Sequence, residues 1–254
     1  MPADTYSKTD ASAHPDFFAA EAAGLRWLRE GGATVVDVRS VGPTHIDLAR
    51  LVPSAPRPDA ARLFGAQLAE VHRSGAPGFG CPPEGFVGQI FIGARPMSSV
   101  VHPSWGAFYV TERVLPYVRV AVEVGNLSES DAAVVERVCA DVAGGAFDDD
   151  DPPARLHGDL WTGNVVWTDA GVVMIDPAAH GGHRETDLAM LALFGCPLLS
   201  DIVDGYHSEC PLRGGWEKRI PLHQLHPLAV HAAGHGPSYG AELHRAALAV
   251  QRML

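Results

Sequence analysis

The chain has 254 residues, 46% of them hydrophobic, enough to bury a core in one large domain or two lobes. Its formal charge of −11 argues against a phosphate-tracking surface and so against nucleic acid as a partner. No window approaches the ~18 apolar residues of a membrane span, and the start has no basic region followed by an apolar run, so a cytoplasmic protein with no membrane partner is expected.

In chain order, "PDFFAAEAAGLRWLRE" from Pro15 to Glu30 sets Phe17, Glu21, Leu25 and Leu28 at helical spacing, with Asp16 available at its start. Two β-rich runs, "TVVDVRSV" and "THIDLARLV", flank Gly42-Pro43 and predict a hairpin with strands near 34–41 and 45–51. Three prolines in "PSAPRP", residues 53–58, break regular structure and mark a linker. The expected division is a small helix-and-sheet lobe over 1–52, the linker 53–58 and a mainly helical lobe over 59–254.

That second lobe opens on a helix, "DAARLFGAQLAEVHRSG", with Leu63, Phe64, Leu68 and Val71 on one face and Gly75 as its terminator. Gly75 to Pro103 reads as a glycine- and proline-rich loop. The acidic run Asp148–Asp151, followed by Pro152 and Pro153, reads as a solvated connector without a catalytic part. His223, His226, His231 and His235 are assigned to core packing or loop surface and not to a metal site. Cys81, Cys139, Cys196 and Cys210 form no C-x-x-C pair, so neither a zinc knuckle nor a disulfide framework is expected.

The stretch "RLHGDLWTGNVVWTDAGVVMIDPAAHGG", residues 155–182, carries the chemistry. Its turn "TDAG" joins Val165-Val166-Trp167 to Val172-Val173-Met174-Ile175, so the two strands fold back antiparallel. Asn164 and Asp176 lie almost equally far from that turn, which brings an amide oxygen and a carboxylate together at the open end. Hard oxygen ligands of this kind suit Mg²⁺, which keeps other positions for water and phosphate. Asp159 precedes Asn164 by five residues. This is the spacing of the kinase catalytic loop, where the Asp accepts the substrate hydroxyl proton and the Asn holds metal. His157 is expected to brace the loop and not to act as the base.

The longer run "LHGDLWTGNVVWTDAGVVMIDPAAHGGHRETDLAM" resembles the signature of the fructosamine kinase (ketosamine 3-kinase) family, within the aminoglycoside phosphotransferase and protein-kinase-like superfamily. Trp161 and the residues from Gly182 through His183, Arg184, Glu185 and Asp187 to Met190 point to the ketosamine branch over an aminoglycoside or choline-type kinase. "GFVGQIFIGARPMSSVVHPSWGAFYVTERVLPYVRVA" does the same, and the similarity runs from about residue 6 onward. The resemblance implies an α+β, two-lobed protein-kinase-like fold with a small, truncated N-lobe and a larger, mainly helical C-lobe. It implies ATP- and Mg-dependent phosphorylation of a sugar hydroxyl on a small-molecule or protein-bound ketoamine, of the fructosamine or ribulosamine type. It further implies Lys8 as the ATP-binding lysine, Glu21 as the helix glutamate paired with it, backbone groups from Ala49 to Leu51 as the adenine hinge, and Trp161 and His183 at the acceptor.

Members of that family carry two strands and a turn before the lysine, whereas seven residues precede Lys8, enough for one strand and no hairpin. Two readings stay open: a start upstream of Met1, or a shortened copy with poor ATP affinity. The second makes a non-catalytic, kinase-like binding module the alternative to an enzyme.

Overall fold

The structure is a computed structural model that describes residues 4–254; the first three residues of the expected N-lobe lie outside the described residues. Four elements come first: β1 (Thr5–Thr9), α1 (Phe17–Glu30), β2 (Val38–Gly42) and β3 (His45–Ala49). The strands form an antiparallel sheet in the order β1-β3-β2, with Lys8 opposite Ile46. The strand expected from residue 34 starts only at Val38, because the residues before it are drawn elsewhere. Val36 N–H donates to Met174 O at 3.1 Å and Met174 N–H to Thr34 O at 3.0 Å, which ties this segment to the hairpin of the second half. Its partner strand ends at Ala49 instead of continuing to 51. Asp16 does not cap α1 through its side chain; its carboxylate accepts the Gln89 N–H at 2.9 Å.

The last proline of the expected linker, Pro58, opens α2 (Pro58–Arg73), where a missing N–H leaves no helix bond unmade. The segment from Gly75 to Pro103 is not all loop. It holds a hairpin of β4 (Ile90–Ile92) and β5 (Arg95–Met97), turning at Gly93 with φ +52°. Strands of three residues, one carrying Pro96, are too short for an alternating pattern to register. Then come α3 (Trp105–Phe108), a π-helical turn (Tyr109–Val114), α4 (Leu115–Glu123) and α5 (Glu129–Ala143). The central strands are β6 (Ala154–Leu156), β7 (Val165–Thr168), β8 (Gly171–Met174) and β9 (His180–Gly182), with β7 paired to β8 and β6 to β9. The chain closes with α6 (Glu185–Leu193), α7 (Leu199–Glu209), α8 (Trp216–His223), α9 (Leu225–His235) and α10 (Pro237–Gln251). Among the described residues no helix is long and apolar enough to cross a membrane.

Two apolar cores hold these elements. One gathers β4–β5, α3 to α5 and α8 to α10 around Phe108, Val118, Val138, Leu225 and Leu243. The other runs from Leu25 and Ile46 through Leu68 to Trp167, Met174 and Ile202, so the N-terminal sheet, α2, the β7–β8 hairpin and α7 share one core. Helices α2 and α7 cross closely because glycines meet there: a Cβ on Gly65 would lie 1.9 Å from Ile202 O, and one on Gly205 2.0 Å from Arg62 O. The acidic run is not a solvated connector. Asp149 lies 2.8 Å from Arg213, Asp151 bonds Arg184 at 2.7 Å, and Asp148 accepts the Gly106 N–H at 2.8 Å. Its partners lie tens of residues away in sequence, where local charge patterning carries no information about them.

Candidate active site

The β7–β8 ladder places Val165 opposite Met174, so the residues just outside it, Asn164 and Asp176, emerge at one end. Ile175 N–H donates to Asn164 O at 3.1 Å and fastens that end. The Asn164 amide NH₂ lies 2.8 Å from Asp159 O and 3.1 Å from Asp159 Oδ2, which spends its donors inside the loop. Its amide oxygen is then the atom left for a cation, and the donor set of Asn164, Asp159 and Asp176 is made of oxygens, as a hard divalent ion requires. Asp176 adopts φ +55°, a left-handed conformation that ends the strand and that Asp tolerates better than most residues.

Lys8 reaches the same place from β1. Its Nζ lies 2.8 Å from Glu21 Oε1 on α1 and also contacts Asp176 Oδ1. Burial works against the ammonium, but Glu21 and then Asp176 outweigh it and hold the Lys8 pKa above its ordinary value. Burial prevails for Glu21, whose pKa is raised despite the pull of Lys8. Asp159 is pushed up to about 6, first by burial and further by the charges of Asp176 and Asp187, against the stabilising bond from Asn164.

The loop from His157 to Asp159 is anchored from below by Asp187, which the sequence shows only as part of a motif. The buried Asp187 carboxylate accepts the His157 N–H at 2.8 Å and the Gly158 N–H at 3.0 Å, and receives His72 Nε2–H at 3.2 Å. His157 Nε2–H donates to Ile175 O at 2.9 Å while Nδ1 accepts the Asp159 N–H at 3.3 Å, so its ring braces loop and hairpin. Gly158 must lack a side chain: it has φ +80°, and a Cβ would stand 2.2 Å from Ala178 O. The available signal was an acid in the first turn of a helix soon after the hairpin, and its partners become visible only once the chain is folded.

Three connected cavities surround these groups. A central cleft of about 520 Å³ is lined by Lys8, Glu21, Asp159, Trp161, Asn164 and Asp176. Beside it, about 240 Å³ is enclosed by Val36, Leu48, Ala49, Leu51, Val166 and Ile175, with Lys8 and Asp176 common to both. On the other side about 600 Å³ is lined by Ile92, Arg95, Asp159, Trp161, His231 and His235. Trp161 is 37% exposed and meets Phe194 edge-on with ring centroids 5.8 Å apart.

His183, expected at the acceptor, does not line the cleft. It is buried, its Nε2 3.4 Å from Asp149 and its ring 4.8 Å from that of His223, because the turn after β9 points it into the helical half. With Glu185 and His223 it forms a buried cluster, but Arg219 occupies both Glu185 oxygens at 2.5 and 2.8 Å, and the group is an ion-pair network. His231 and His235 stand one turn apart on α9, ring centroids 5.1 Å apart, and face the third cavity instead of the core.

Residues 3–253 match the family model for fructosamine kinase. A probable ketoamine kinase of Enterococcus faecium is 31% identical over 240 residues, covering 91% of this chain and 83% of its own. A second, of Escherichia coli K12, is 32% identical over 232 residues, covering 89% and 77%. Among solved structures, a Thermobifida fusca protein named as a "putative fructosamine-3-kinase" superposes with a TM-score of 0.89 at 44% identity, over 98% of this chain and 85% of its own.

Proposed function

The chain belongs to the fructosamine kinase family, and from that premise we propose that this phosphotransferase moves the γ-phosphoryl group of ATP to a sugar hydroxyl of a ketoamine, with Asp159 as the base. One observation carries the reading: the Lys8–Glu21 pair from the start of the chain and Asp159, Asn164 and Asp176 from its middle converge on one cleft. The lobe division at residues 53–58 belongs to the same reading, since the cleft takes Lys8 and Glu21 from before it and the rest from after.

The acceptor hydroxyl binds beside Asp159, which accepts its proton as the oxygen attacks the γ-phosphorus; the bond to the β-phosphate oxygen breaks and ADP leaves. A carboxyl raised to about 6 is ionised at neutral pH yet basic enough to take that proton. Asn164 and Asp176 present oxygens that fit Mg²⁺, which when bound neutralises phosphate charge and holds the transferring group in line. Lys8 sits against the phosphates with Glu21 fixing its stem, and a compact ammonium suits that contact. The cavity at Ala49 to Leu51 takes the adenine through backbone groups and apolar walls. Trp161 lines the acceptor side, where an indole face stacks on a sugar and its amine.

The test offers a fructosyl-amine, choline and kanamycin with Mg-ATP to the purified protein and to Asp159→Asn. Phosphorylation of the fructosyl-amine by the parent chain and its loss in the variant is the expected result. A preference for kanamycin or choline, or a variant as active as the parent, would falsify the assignment.

A further inference from the structure

The third cavity holds a cation that the proposed phosphoryl transfer does not use. Arg95 begins β5 at the β4–β5 turn, and its Nη2 donates to Ala233 O at 2.7 Å on the last turn of α9. Among the described residues no carboxylate lies within ion-pair distance of it, in a chain whose acidic residues outnumber Lys and Arg by 30 to 19. A guanidinium has five N–H donors in a planar fork, so one carbonyl leaves most of them for another acceptor. Gly234 allows this pose, since a Cβ there would stand 3.0 Å from Arg95 Nη2. Arg95 shares its cavity with Asp159 and Trp161, and Asp159 is the one carboxylate lining it. Two of the four open carbonyls at the end of α9 that would repel an anion are covered, Ala232 O by Asn126 at 2.8 Å and Ala233 O by Arg95 itself.

We propose that Arg95 binds the carboxylate of an amino-acid ketoamine, making the preferred acceptor a sugar joined to the amine of a free amino acid instead of to a neutral or peptide-borne amine. The inference rests on the ketoamine kinase reading above and adds the charge of the half of the substrate that is not phosphorylated. In an α-amino ketoamine the carboxylate is two bonds from the nitrogen that carries the sugar, so sugar and carboxylate fall within one cavity of this size. A carboxylate matches the flat fork of Arg with two parallel bonds, which a neutral amide does not. The alternative role for Arg95 is a cap on the end of α9, and that role is blind to substrate charge.

The experiment compares kcat/KM for N-fructosylglycine and for its primary amide in the parent chain, Arg95→Gln, Arg95→Lys and Gly234→Ala. In the parent the carboxylate compound should be preferred by about tenfold or more, through KM and not kcat, since a charge-assisted bond made equally before and during transfer changes binding alone. In Arg95→Gln that preference should fall to near one. Arg95→Lys should recover part of it, as a charge without the fork, and Gly234→Ala should weaken it by displacing the guanidinium with the charge retained. Equal use of the two compounds by the parent, or a preference that survives Arg95→Gln, overturns the inference while leaving a ketoamine kinase in place. Phosphorylation of neither compound overturns the function and the inference with it.

Discussion

The two cavities that flank the central cleft share apolar walls and differ in the polar groups set into them. The one at Ala49 to Leu51 combines Val36, Leu48, Val166 and Ile175 with Lys8, Arg50 and Asp176, and the one beyond Trp161 combines Ile92, Met190 and Val230 with Arg95, Asp159, two histidines and the indole. Backbone groups and generic apolar walls tolerate many sequences, whereas charged and aromatic groups discriminate between ligands by what they contain. Under the proposed function, the adenine is held through backbone and apolar contacts while the groups beyond Trp161 discriminate between acceptors.

The largest effect expected is common to both sides, because they meet at the carboxylates. Asp159→Asn and Asp176→Asn should each lower kcat by about a thousandfold or more, roughly 4 kcal/mol of barrier, with circular dichroism unchanged. Steady-state kinetics with a fructosyl-amine checks this, and survival within about tenfold in Asp176→Asn would remove it from the proposed metal pair.

Next in size, Trp161→Ala should raise the KM for the ketoamine about tenfold, roughly 1.4 kcal/mol, with the KM for ATP held within about twofold. Equal shifts in both constants would mean that the indole packs the cleft as a whole and that the two sides are not separable.

A third expectation concerns stability and has the opposite sign to the first. The folded pKa of Asp159 lies near 6, above its ordinary value of 3.8, because burial and neighbouring carboxylates disfavour its charge. The carboxyl therefore favours the fold fully only below its ordinary pKa, and that contribution is lost as pH rises through about 6. At pH 7.5 in EDTA, Asp159→Asn should stabilise the protein by on the order of 1–3 kcal/mol, and at pH 3.5 the gain should vanish. Thermal melts at the two pH values decide it, and a variant less stable at pH 7.5 would show that the bond with Asn164 outweighs the burial cost. The smallest effect belongs to the hinge: Leu51→Ala should change the KM for ATP by less than about threefold, since the wall it forms is shared with ten other residues.

Much of this arrangement was legible beforehand. The β7–β8 hairpin follows from a turn between two apolar runs, and once it closes, Asn164 and Asp176 must meet, since register alone brings equidistant residues together. The helix bearing Glu21 follows from its periodicity. Lys8 beside Glu21 was supplied by resemblance, because no local pattern links a strand residue to a helix residue across a turn. The hidden features have a common cause. The β4–β5 strands are too short to show a period, the acidic run is paired with residues far along the chain, and Asp187 holds His157 and Gly158 about 30 positions earlier while it pairs with His72, 115 positions earlier.

The sequence by itself determined the β7–β8 hairpin, the D-x-x-x-x-N spacing before it, the main helices and the family, all of which rest on contacts between near neighbours or on a contiguous motif. Tertiary structure alone decided that His183 turns inward to Asp149 and His223, that His231 and His235 turn outward to a cavity, and that Arg95 stands in it bonded to a backbone carbonyl with, among the described residues, no carboxylate at ion-pair distance. Burial and charge pairing are properties of the packed chain: which face of a helix or turn meets a core is set by elements distant in sequence, and no local spacing encodes it.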